Sequence, residues 1–77
     1  MVDRLILSKT DALSVVCAHA LTDPNPIVRA YCHALVDALD RGDGRQARAA
    51  AFAIPEYSTE RELRSAVLFF FQLFRWH

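Results

Sequence analysis

Apolar side chains recur three and four positions apart along most of this chain, the period of helices that bury one face. Four helices account for the pattern. Ser8 or Thr10 can cap the first, which runs to about Leu21 with Leu13, Val16, Cys17, Ala20 and Leu21 on one side. Asp11 falls in its first turn, where the helix dipole favours an acid. The stretch TDPNPIV interrupts the period, because a residue before proline is pushed out of helical geometry. Asn25 followed by Pro26 then starts a second helix that reaches about Arg41. Its expected stripe is Ile27, Tyr31, Ala34, Leu35 and Ala38, flanked by Val28 and Leu39.

The stretch DRGDGRQ ends the second helix, and Asp43 can cap the next one. A third, short helix is expected over about Gly44 to Ala53, rich in alanine and arginine and stopped by Pro55. Thr59 with Glu62 fits a reciprocal cap for the last helix, with Ser58 as competitor, and that helix continues to about Arg75. Leu63, Ala66, Val67, Phe70 and Phe74 form one stripe of it, with Phe71 at the edge. Phe69, Leu73 and Trp76 form a second on another side, and Leu68 belongs to neither. A helix that is apolar on more than one face needs cover on more than one face. Residues 1 to 8 fit a short strand or a helical turn equally well.

The predicted fold is therefore all-α: one domain over residues 1–77, a compact bundle of about four helices arranged as two α-hairpins. Its expected core is Leu13, Val16, Cys17, Ile27, Tyr31, Leu35, Leu39, Leu63, Val67, Phe70 and Phe74. A chain of 77 residues buries only about 60% of the surface that its unfolded form exposes, so a partner is a common supplement to the core.

Composition narrows the functional classes. Hydrophobic residues make up 53% of the chain, which separates it from disordered sequences. Nine basic residues balance nine acidic ones, so no broad field draws a phosphate backbone, and little repulsion opposes self-association. Cys17 and Cys32 are too few for a disulfide scaffold. The longest apolar run, Ala66 to Phe71, falls far short of the ~20 residues that span a bilayer, and no signal peptide is visible. The expected setting is soluble and cytoplasmic.

Two stretches resemble known families. Ser8-Lys9-Thr10-Asp11 after an apolar run resembles the guanine-reading loop of GTPases, in the form found in cobalamin-synthesis-type metal-chaperone GTPases. The resemblance covers roughly positions 2 to 11 and implies that Asp11 reads a guanine edge while Lys9 lies along the base. The chain has no G-x-x-x-x-G-K-[ST] loop to hold phosphates, and a mostly helical chain of this length has no place for the sheet that presents such loops. The stretch is expected to be a polar connector that caps a helix. DPNPIVRAYCHALVDAL is similar to one helix pair of a HEAT-like repeat. A single copy cannot stack into a solenoid, so the resemblance implies hairpin-like packing alone.

Cys17, His19, Cys32 and His33 are the right number of ligands for zinc, but residues one or two apart on a helix diverge by about 100° and 200°. No metal or other cofactor is expected. A catalytic thiolate needs an exposed, electropositive seat, whereas Cys32 lies on the margin of an apolar stripe. His33 and Asp37, four apart, are expected to form a solvated pair. An enzyme or metal site around Cys17, Cys32 and His33 is thus a minor alternative, and the chain is expected not to be an enzyme. Arg45, Arg48, Arg61 and Arg64 make a local basic patch for a nucleic-acid-associated regulator, against which stand charge neutrality and the Asp37 and Asp40 of the second helix.

The aromatic run AVLFFFQLFRW outweighs these signals. Clustered aromatics anchor interfaces. The expected function is that of a small protein-interaction module, acting as adaptor, subunit, inhibitor or homodimer. It docks through Leu68, Phe69, Leu73 and Trp76, with Arg75 setting orientation.

Overall fold

A computed structural model describes residues 8–74, over which the chain forms four helices: α1 (Lys9–Thr22), α2 (Pro26–Arg41), α3 (Gly44–Tyr57) and α4 (Arg61–Phe74). Side chains satisfy free amides where the first three helices start. Ser8 Oγ accepts from the Asp11 N–H at 3.2 Å and donates to the Asp11 carboxylate at 3.1 Å. The GTPase-like letters thus spell a helix start. Asn25 Oδ1 accepts from the Ile27 N–H, and Pro26 occupies the first turn, where no backbone donor is needed. Asp43 Oδ1 accepts from the Gln46 N–H.

Gly42 ends α2 in the left-handed region, at φ 72°. Its own amide and that of Asp43 turn back to Leu39 and Ala38, which satisfies the last carbonyls of the helix. The hydroxyl engaged before α4 is that of Ser58, which accepts from the Glu60 N–H; Thr59 is exposed.

The third helix is not short. It spans 14 residues, as many as α1 and α4, and carries Pro55 inside its last turn. A proline near a helix end removes a single hydrogen bond, and tertiary contacts hold the turn beyond it. Ile54 is fully buried, Tyr57 stacks on Tyr31 with ring centroids 5.7 Å apart, and Asn25 Nδ2 donates to the Tyr57 carbonyl. Arg64 also donates to the Pro55 carbonyl.

Each helix packs on two others, in the cycle α1–α2–α3–α4–α1, and the backbones of the diagonal pairs stay more than 8 Å apart. The centre of this ring is filled by Val16, Val28, Cys32, Leu35, Ile54, Leu63 and Phe70. Small residues are buried around it: Ala12 and Ala20 on α1, Ala38 on α2, and Ala47, Ala50 and Ala51 on α3.

The expected stripe of α4 is the buried one, with Leu63, Ala66, Val67 and Phe70 inside and Phe74 half-buried. The stripes of α1 and α2 are turned from their expected positions. In α1, Ala12, Val15 and Val16 are buried, Leu13 and Cys17 are half-buried, and Leu21 is 74% exposed. In α2 the buried line is Val28, Cys32, Leu35 and Ala38; Ile27 is 46% exposed and Ala34 is also exposed. In α2, Tyr31, whose hydroxyl needs a polar partner when buried, stays half-buried at the edge against Tyr57, and Val28 and Cys32 face inward.

Candidate functional site

Among the described residues five large apolar side chains stand in solvent, and two of them, one on α3 and one on α4, border a single groove, while Leu21, Ile27 and Tyr57 lie elsewhere. Phe52 is 64% exposed and Leu68 is 54% exposed. Beside them Phe71 is half-buried, its ring 5.9 Å from that of Phe52 and tilted by 59°. These side chains line a groove of about 740 Å³, together with Ala49, Arg45, Arg48 and Gln72.

Helical spacing explains the arrangement. Positions 45, 48, 49 and 52 follow one another at intervals of three, one and three, which places them on one face of α3. Positions 68, 71 and 72 do the same on α4. The inward faces of these helices carry alanines and Ile54 on α3, and Leu63, Ala66, Val67 and Phe70 on α4. The groove residues are thus the next face round on each helix, which the ring of four cannot reach.

The docking residues expected from sequence are divided by the fold. Leu68 lies in the groove. Phe69 and Leu73 lie partly buried against the protein's own core, Phe69 edge-on to Phe70 with centroids 5.8 Å apart. Arg75 and Trp76 lie outside the described residues. Phe52 and Phe71 are groove residues that the aromatic run alone does not single out. Their signal is present in the sequence, since Phe52 is the one large apolar side chain of α3 besides Ile54 and Tyr57.

The four arginines are also divided. Arg45 and Arg48 border the groove and lie near Phe74, the last residue of α4. Arg61 and Arg64 are in the first turn of α4, at the other end of the hairpin. The four do not form one patch.

Cys32 is fully buried, and burial, reinforced by the negative charge of Asp23 and the neighbouring Cys17, pushes its thiol up to about 12. Both cysteines are free thiols. His33 is exposed on α2, and Asp37 pairs instead with Arg41 at 3.4 Å. Among the described residues, no three His, Cys, Asp or Glu side chains gather where they could hold a metal ion.

The other organised polar cluster joins α1 to α2. His19 Nδ1 lies 2.7 Å from Asp23 Oδ2. An ionised carboxylate only accepts, so the ring nitrogen is the donor. Asp23 Oδ1 accepts from the Asn25 N–H, and Arg29 donates to the Asp23 carbonyl. Burial of Asp23 works to raise its pKa, but the bonds from His19 and Asn25 and the charges of His19 and Arg29 prevail and hold it below the ordinary value. Ser58 and Thr59 border the same end of the bundle, but the Ser58 hydroxyl is taken by the Glu60 amide. The cluster fastens the loop between α1 and α2.

Among the described residues no helix is long and apolar enough to cross a membrane. Comparison with known proteins finds no matching family model, no matching curated protein and no matching solved structure.

Proposed function

We propose that this chain is a small cytosolic protein-interaction module whose docking surface is the α3–α4 groove. One observation carries the reading: two large apolar side chains, Phe52 and Leu68, stand more than half in solvent beside each other while the core beneath them is complete. Water contact with such side chains costs roughly 25 cal/mol for each Å² of apolar surface, and a binding partner recovers that cost. Exposed aromatics beside arginine have the composition of interface anchors.

The surface departs from the one the aromatic run suggests. Phe69 and Leu73 contribute to the fold, and Phe52 and Phe71 take their place as contacts. The module acts by occupying a partner, as adaptor, subunit or inhibitor, and its chemistry is apolar burial.

The test compares the natural chain with a Phe52→Ser, Leu68→Ser variant. Light scattering over a range of concentrations measures self-association, and affinity capture from lysate of its own cells measures association with other proteins. The variant is expected to keep its helicity and lose whatever association the natural chain shows. A partner held equally by both chains, or a natural chain that associates with nothing, would contradict the proposal.

A further inference from the structure

The groove carries an unbalanced charge. Arg45 and Arg48 border it, and none of its lining residues is acidic. Neither arginine has a carboxylate three or four positions away on α3. Among the described residues neither forms an ion pair. They are themselves three apart, so two like charges share one helix face and repel mildly. The chain as a whole carries nine acids and nine bases, so the excess at the groove is not a general basic character.

We propose that the groove receives an acidic amphipathic helix of another protein, its apolar side chains seated on Phe52, Leu68 and Phe71 and its carboxylates on Arg45 and Arg48. The proposal rests on the docking reading above and adds the chemistry of the partner. Arg45 and Phe52 are seven positions apart, which is about 10 Å along a helix, so a segment of about three turns covers both the basic and the apolar parts. Apolar residues at i, i+3 and i+4 fill such a groove from one face of a helix, and Asp or Glu a turn away reaches the arginines. Guanidinium groups take carboxylates in paired hydrogen bonds, which fixes the direction in which the helix lies.

A second copy of this chain is a poorer occupant. Twofold apposition places the same groove on both sides, and its lining offers the arginines no carboxylate. Single-stranded nucleic acid is also poorer. A strand needs a basic track along its backbone, and the groove offers only Arg45 and Arg48. Arg61 and Arg64, which a strand would also need, are in the first turn of α4, away from the groove.

The experiment selects from a displayed library of random peptides about three turns long on the immobilised full chain, with counter-selection on Phe52→Ser, Leu68→Ser. Selected peptides are then titrated against the natural chain and an Arg45→Gln, Arg48→Gln variant. Light scattering and titration with oligo-dT run alongside. The expected result is enrichment of peptides with helically spaced apolar residues and an excess of Asp and Glu, bound about tenfold or more weakly by the arginine variant. Enriched peptides that are neutral or basic, and bound equally by the arginine variant, overturn the acidic partner while the docking groove stands. A dimer that Leu68→Ser dissolves has the same meaning, with a second copy as occupant. Salt-sensitive binding of oligo-dT that the arginine variant loses assigns the groove to nucleic acid and overturns both readings. Absence of any enriched peptide, with a monomer in solution, also overturns both.

Discussion

Phe70 and Phe52 are the same residue type put to opposite uses. Phe70 is fully buried at the centre of the ring, and Phe52 stands mostly in water. Truncating a buried phenylalanine removes transfer energy and leaves a cavity, so Phe70→Ala should cost about 3–5 kcal/mol of stability in urea unfolding. The buried thiol gives a second check at this scale. A group held at about 12 and sealed from solvent supplies almost no thiolate near neutrality, so Cys32 should resist alkylation in the folded protein and react when urea unfolds it. Rapid labelling of Cys32 under native conditions would show that α2 is not packed as described.

Asp23 couples stability to acid. Its folded-state pKa lies below the ordinary 3.8, so its stabilising contribution is present above that value and is lost as the pH falls through the lower, folded one. Asp23→Asn should therefore flatten the loss of stability in the acid limb below pH 3.8 and lower the stability at neutral pH. Urea midpoints measured against pH for both proteins test this, and parallel curves would count against it.

At the scale of elements, starts and stops were the most legible part of the sequence. Serine, asparagine–proline and glycine act through local hydrogen bonds, so Ser8, Asn25–Pro26 and Gly42 mark their boundaries without reference to the rest of the fold. Pro55 was misleading for the converse reason. Whether a helix survives a proline depends on what holds its next turn, and here that is supplied by Tyr31 and Asn25, more than twenty residues away in sequence. The stripe of α4 was legible because bulky residues dominate it. The stripes of α1 and α2 were not, because alanine, valine and cysteine fill the centre while Leu21 and Ile27 are left outside. Asn25→Ala removes both the cap of α2 and the bond to the Tyr57 carbonyl. The loss should be about 1–2 kcal/mol, with the end of α3 fraying in hydrogen exchange before the rest.

At the scale of the whole molecule, a ring of four short helices has one centre to fill, and each helix can turn only one face toward it. The last helix is apolar over more of its girth than that, so part of its surface must lie outside. The sequence conveyed the excess but not its location. Which flank faces water depends on how α3 leans against α4, and it is the flank of Leu68 and Phe71 that stays open while Phe69 and Leu73 are drawn to the core. The site is therefore a property of the pair of helices, with Phe52 and the two arginines supplied by α3.

The most direct test of the proposed docking surface is the unfolding free energy of the Phe52→Ser, Leu68→Ser protein beside that of the natural chain. Side chains kept for a partner contribute little to the fold, so the change should stay within about 1 kcal/mol, with helicity intact. A loss of about 3 kcal/mol or more would place both side chains in the core and leave the groove without a purpose.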